Sequence, residues 1–225
     1  MSRPQSTVRS ASSTVDASIG VIYAGYLSTH QVATDDAHPE TTPLPMYDLP
    51  DHDLTSFDGL VVPSVVDQKF LAHESDMFAD YLDAGGVVVS FAKIFRDWLA
   101  GYRWHSHPTS ARALELELAH DHPVFEPVTE RDLNLYEGVS GWFTRGYLEP
   151  PAGAKPIVVD GEDRVIVSVD EESTSGTILA TAGSDLFHTA FRDHEPFPKV
   201  VARLLDWMTD VSTVSDGEQG ERHER

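Results

Sequence analysis

Cysteine is missing from the 225 residues, and lysine occurs only at Lys69, Lys93, Lys155 and Lys199. Without a thiol the chain can form no disulfide, thiolate zinc site, iron–sulfur cluster or cysteine nucleophile. Long apolar runs are lacking as well. Nothing approaches the roughly 20 residues that a membrane-spanning helix requires, and Met1–Asp16 has no apolar centre of a secretory signal. A cytoplasmic protein is expected. Positive charge is scarce: 37 acidic side chains face 16 basic ones, a formal charge of −21. Such a surface repels nucleic acid and anionic membrane, so neither is expected as a partner.

What the chain has in quantity is carboxylate and aromatic carbon. The acidic residues are spread along the whole sequence, as in proteins from salt-accumulating halophiles, where cations screen self-repulsion over about 3 Å at 1 M salt. An ordinary acidic protein is the alternative. Ten Phe, four Trp and 40% hydrophobic residues suffice for one core without a metal or disulfide staple. The length suits one domain. Residues 1–17 and 211–225 are polar and poor in apolar side chains. They predict disordered tails around a domain spanning 18–210. No internal repeat is present, and the Pro-rich segment His38–Pro50 reads as an irregular connection.

Ser18–Ala24, Leu60–Pro63 and Val87–Phe91 are short, continuous apolar runs, the pattern of strands covered on both faces. Between the last two, Phe70, Leu71, Met77, Phe78, Tyr81 and Leu82 recur at helical spacing. They predict one helix over 67–84, ended by Gly85–Gly86. Ala113–Ala119 alternates Leu with Glu and predicts a strand with one wet face. Lys155–Asp160 and Arg164–Asp170 flank Gly161–Asp163 as a hairpin, and Thr177–Thr181 follows as a further strand. Phe197, Val200, Val201, Leu204, Leu205 and Met208 form the apolar stripe of a closing helix.

Four stretches in this order, FDGLVVPSVVDQ at 57–68, YLDAGGVVVSF at 81–91, DHPVFEPV at 121–128 and GTILATAGSDLFHTAF at 176–191, carry a likeness. The chain resembles the class I glutamine amidotransferase-like superfamily, and within it the trehalose-utilisation (ThuA-like) branch. That resemblance implies an α/β fold: a flavodoxin-like open, mostly parallel sheet with helices on both faces, to which the hairpin is added. It also implies a Gly-x-Cys-x-Gly elbow after the strand at Val87–Phe91 and a late His-Pro-Glu motif. Here the elbow reads VVVSFAKIF, and His188 lacks the following Pro-Glu. Glutaminase chemistry is therefore not expected, and a non-catalytic binding domain is the leading reading. Ser90 stands near the nucleophile position with His188 as its base and Asp185 nearby, the alternative of a hydrolase or sugar-modifying enzyme. A small hydroxyl packed at a strand end is the plainer reading of Ser90.

Ligands of open α/β sheets bind beyond the carboxyl ends of the strands. That rule selects Tyr23, Tyr26, Ser64, Asp67, Ser90, Lys93, Ser184, Asp185 and His188, a set suited to a small polar, carbohydrate-like ligand. Tyr26, Trp98, Trp104 and Trp142 offer flat surfaces for a sugar ring or for a partner protein, including a second copy of the chain, or else belong to the core. His105 and His107, and His120 and His122, alternate on extended segments as candidate metal ligands, with Asp121 beside the second pair. Scattered surface histidines are the plainer reading, and no cofactor is expected. Gly138–Gly141 lacks the strand-then-helix setting of a phosphate loop, and Asp35-Asp36 and Glu171-Glu172 read as solvated surface.

Overall fold

The computed structural model describes residues 17–190 and 195–222. The tail expected at 1–17 therefore lies outside the described residues except for Ala17. Among the described residues no helix is long and apolar enough to cross a membrane.

β1 (Ile19–Tyr23) leads into α1 (Leu27–Val32), and β2 (Thr41–Pro45) returns beside it. β2 corrects the irregular connection expected over His38–Pro50. It pairs in parallel with β1, with Pro43 opposite Val21 and Pro45 opposite Tyr23. Proline is tolerated because β2 is an edge strand, where a missing N–H need not break a ladder. β3 (Gly59–Val62) follows, then α2 (Gln68–His73), α3 (Ser75–Asp83) and β4 (Val87–Ser90). The single helix expected over 67–84 is thus two. Glu74 leaves helical geometry at φ −98°, ψ 21°, where Ser75 and Asp76 favour a new helix start over a helix interior. Leu71, Phe78, Tyr81 and Leu82 are all buried across this break.

A long excursion follows, with β5 (Arg103–Ser106), β6 (Leu116–Leu118), α4 (Glu130–Asn134), β7 (Leu135–Tyr136), β8 (Val139–Ser140) and β9 (Gly146–Glu149). β6 is shorter than the strand expected at 113–119, because Ala111–Ala113 form a 3₁₀ turn. The chain closes with β10 (Lys155–Asp160), β11 (Val165–Asp170), β12 (Thr177–Thr181), α5 (Leu186–Ala190) and α6 (Phe197–Arg222). The helix α6 carries on beyond the residue-210 boundary read from composition.

The architecture is a mixed α/β sheet. Five strands run parallel in the order β2-β1-β3-β4-β12. β12 then pairs antiparallel with β11, which forms the expected hairpin with β10. β6 adds to β10, and β9 joins β11 to β5, so the excursion extends the antiparallel side. Side chains alternate along the parallel strands. Val61, Val87 and Val89 face a core shared with Phe187, Val200, Leu204 and Met208 of α5 and α6. Leu60, Val62 and Val88 face a second core with Leu71, Phe78 and Leu82 of α2 and α3. Helices therefore cover both faces, which is why the strand sequences read as unbroken apolar runs. The polar ends of the strands are left as the place where chemistry can collect.

Candidate functional site

Three parallel strands deliver their exits to one side of the sheet. After β3, the Ser64 backbone N–H donates to Asp185 Oδ2 at 2.8 Å. Asp185 Oδ1 accepts from the His188 N–H at 3.2 Å. Both oxygens of this carboxylate are thus engaged by backbone amides, and Asp185 ties the exits of β3 and β12 together. Asp67 caps α2 by accepting from Lys69 N at 2.9 Å and Phe70 N at 3.3 Å. Those amide bonds, helped by the Tyr47 hydroxyl, hold its carboxyl below the usual carboxylate range despite partial desolvation. Gln68 clamps the loop after β4: its Oε1 accepts from Phe95 N at 2.8 Å and its Nε2 donates to the Lys93 carbonyl.

The excursion supplies the opposite wall. Thr144 Oγ1 reaches the Gly146 and Ala182 carbonyls at 2.6 and 2.9 Å, pinning the segment before β9 to the end of β12. Ser184 Oγ reaches the Trp142 and Phe143 carbonyls, both at 3.1 Å. Arg145 Nη1 donates to the carbonyls of Thr144, at 2.9 Å, and Gly141. Gly141 is required there: its φ is +63°, and a Cβ would lie 1.9 Å from the Ala111 carbonyl oxygen.

These walls enclose a cavity of about 1070 Å³. Its lining includes Ser64, Asp67, Lys93, Ser184, Asp185 and His188 from the sequence-derived set. Tyr23, Tyr26 and Ser90 are not in the lining. Tyr23 packs edge-on against His30, and Tyr26 lies over His188 with centroids 5.5 Å apart. Ser90 is fully buried, and its hydroxyl has no hydrogen-bond partner. The Ser90–His188 pairing of the hydrolase alternative does not form, and Ser90 is a packed hydroxyl at a strand end. His188 Nδ1 instead lies 2.7 Å from Ser28 Oγ on α1, a residue whose sequence context gave no signal.

Of the four aromatic candidates, Trp142 lines the cavity, whereas Trp98 is core, Trp104 packs edge-on against Phe95, and Tyr26 stands 43% exposed. Lys69, Arg96 and Arg145 also line the cavity, and sequence reading passed over all three. Scarcity was a signal for Lys69, one of only four lysines, which follows the end of β3; no sequence signal marked Arg96 or Arg145.

The candidate metal histidines go to separate places. His105 Nε2 meets Glu149 at 2.8 Å on the surface, whereas His107 Nε2 meets Asp160 at 2.7 Å inside. His107 Nδ1 accepts from Thr109 N. Its proton is therefore on Nε2, which donates to Asp160. His120 Nδ1 lies 2.7 Å from the Pro156 carbonyl oxygen. His122 Nδ1 accepts from Val124 N, and burial, with Lys155 nearby, pushes this ring down to about 4. Among the described residues no three His, Asp or Glu side chains converge as a metal site, Asp121 included. Gly138 sits in the β7–β8 turn and Val139–Ser140 form β8, so Gly138–Gly141 belongs to a hairpin rather than a phosphate loop.

No protein-family model and no curated protein matches the chain. Among solved structures, a chain described as the mmIFT52 N-terminal domain is similar over 86% of this chain and 97% of its own, at TM-score 0.52 and 12% identity. At that identity the likeness concerns the fold alone. A β-galactosidase from Bacillus circulans sp. alkalophilus aligns over 91% of this chain and 31% of its own, at TM-score 0.45 and 13% identity. A polyextremophilic β-galactosidase from the Antarctic haloarchaeon Halorubrum lacusprofundi aligns over 80% and 30%, at TM-score 0.39 and 19% identity. At those two TM-scores the similarity bears on neither fold nor function.

Proposed function

We propose that this chain is a glutamine amidotransferase-like domain, of flavodoxin-like strand order, that binds a small polar ligand and has no glutaminase activity. The order β2-β1-β3-β4-β12 supports the fold assignment, since it follows the 2-1-3-4-5 pattern of flavodoxin-like sheets. The observation that carries the binding reading is the cavity of about 1070 Å³ outside the carboxyl ends of β3, β4 and β12. Hydroxyl-, carboxylate- and amine-bearing side chains from these strand exits line it beside Trp142. Ser64, Asp67, Lys93, Ser184 and His188 are the proposed contacts.

A hydrolase is the second reading, favoured by one contact: the 2.7 Å approach of His188 Nδ1 to Ser28 Oγ. Ser28 is only 6% exposed and is not in the cavity lining, which argues for positioning of the imidazole over nucleophilic attack.

Mass spectrometry of the protein purified under high salt, first native and then denatured, tests the binding reading. The expected result is a released small molecule whose occupancy falls in a Trp142→Ala variant. A native mass equal to the bare chain in every preparation would overturn it. Ammonia release from glutamine should be undetectable, and release abolished by Ser28→Ala would promote the hydrolase to first place.

A further inference from the structure

In a chain with 37 acidic and 16 basic residues, the cavity lining inverts the balance. Lys69, Lys93, Arg96 and Arg145 line it, against only Asp67 and Asp185 among carboxylates. Both carboxylates already accept backbone N–H groups, Asp67 from Lys69 and Phe70, and Asp185 from Ser64 and His188. Among the described residues the ion-paired Arg and Lys side chains are Arg103, Arg164, Lys199 and Arg203, and none of these lines the cavity. The four lining cations form no ion pair among the described residues. In so acidic a protein a carboxylate partner would be the easiest thing to supply.

The cations come from three segments of the chain, and two of them, Lys93 and Arg145, make side-chain contacts that orient them. Lys69 stands on α2, and Lys93 and Arg96 follow β4 in the loop that Gln68 clamps. Arg145 reaches in from the excursion, with Nη1 bound to two carbonyls, so that Nε and Nη2 remain available as donors. Lys93 Nζ sits 5.4 Å from the Trp104 ring centroid, which helps fix its position. Cations gathered on one concave surface attract anions, and guanidinium groups match the oxygens of phosphate or carboxylate. Apolar surface lies beside them: Phe95 is 62% exposed, and Phe91, Trp142 and Phe143 contribute to the lining.

From these observations we infer that the cavity takes a small organic anion, a sugar phosphate or similar ring-bearing phosphate or polycarboxylate, through Lys69, Lys93, Arg96 and Arg145. The inference rests on the binding reading above and narrows it to one ligand class. Phe95 and Trp142 accept the body of the ligand, and the cations accept its charge.

Isothermal titration of the full chain at one fixed potassium chloride concentration, with pyrophosphate, glucose 6-phosphate and glucose as probes, is the test. Pyrophosphate and glucose 6-phosphate should bind, and glucose should bind far more weakly. The double variant Lys93→Gln, Arg145→Gln should lose about 100-fold in affinity for both anions, roughly tenfold per charge-assisted contact. Arg203→Gln, paired with Glu126 elsewhere, should change nothing. Equal binding of glucose and glucose 6-phosphate would overturn the anion inference while leaving the polar-ligand reading intact. Anion binding that survives the double variant would also overturn it. Failure of all three probes would sink the inference, and the copurified mass would then judge the broader reading separately.

Discussion

Asp160→Ala removes the acceptor at the centre of the most heavily bonded buried charge among the described residues. Asp160 Oδ2 receives His107 Nε2 at 2.7 Å and Arg164 Nε at 2.8 Å. Its Oδ1 receives the backbone N–H groups of Glu162 and Arg164 at 2.9 and 3.1 Å. The side chains of His107 and Asp160 are each 1% exposed, and that of Arg164 is 18% exposed. Truncation would strand the buried His107 donor and the half-buried Arg164 donor, and unpin the β10–β11 turn. Breaking such a set costs about 3–5 kcal/mol, whereas an isolated surface pair would cost under about 1. For a chain of this size each kcal/mol lowers Tm by about 2–4 °C, so the melting point should drop by roughly 6–20 °C.

Urea titration followed by tryptophan fluorescence at neutral pH is the assay. Asp160→Asn serves as a partner variant that keeps one acceptor and loses the charge. The pH dependence has a definite sign. Burial alone would raise this carboxyl, but the bonds from His107, Arg164 and the turn amides outweigh it and hold Asp160 below its ordinary value of 3.8. The unfolded chain therefore takes up the proton first. The stabilisation is complete above about pH 5 and is lost as the pH falls through 3.8 toward the lower native value. Asp160→Asn should show a shallower acid limb. A loss below about 1 kcal/mol in Asp160→Ala would refute the view that this network anchors the hairpin.

Three further outcomes are expected. Folding stability should rise as potassium chloride increases toward the molar range, because screening relieves the self-repulsion of a −21 chain. A variant with several surface Asp and Glu replaced by Asn and Gln should respond less, and equal melting slopes would count against the halophile-like composition as the cause. His122 should titrate near 4 by NMR, since burial first and Lys155 second disfavour its charged ring. Stability should then decline as pH falls from 6.5 toward 4, where only the unfolded chain binds the proton, and a midpoint near 6.5 would contradict this. Gly176→Ala should cost about 1–3 kcal/mol, because its Cβ would sit 2.2 Å from the Gly86 carbonyl oxygen, a backbone atom that cannot swing aside. An unchanged urea midpoint would mean that the strand entry relaxes.

Elements with one dominant periodicity were legible from the chain. β1, β3 and β4 read as continuous apolar runs because both of their faces are covered, and the stripe of α6 from Phe197 to Met208 is wholly buried. Periodicity was less informative where neighbours overrode it. The stripe across 67–84 gave no sign of the break at Glu74, and the prolines of β2 obscured a strand that tolerates them only as a sheet edge. At the site, the strand-end rule found Ser64, Lys93, Ser184 and His188, because such exits carry polar residues whatever the fold does next. It also chose Ser90, whose neighbours bury it completely.

By itself, then, the sequence determined that no thiol chemistry is available, that the chain forms an α/β core, and that positive charge is scarce. These follow from composition and from local spacing, which need no knowledge of the partner across a contact. Only the tertiary structure decided which polar groups meet. It paired His188 with Ser28, turned Asp185 into a brace between two strand exits, and sent His107 inward and His105 to the surface. It also gathered Lys69, Lys93, Arg96 and Arg145 around one cavity. The physical reason is range: backbone pattern is fixed within a few residues, whereas a site is assembled from loops whose separation in sequence places no limit on their distance in space.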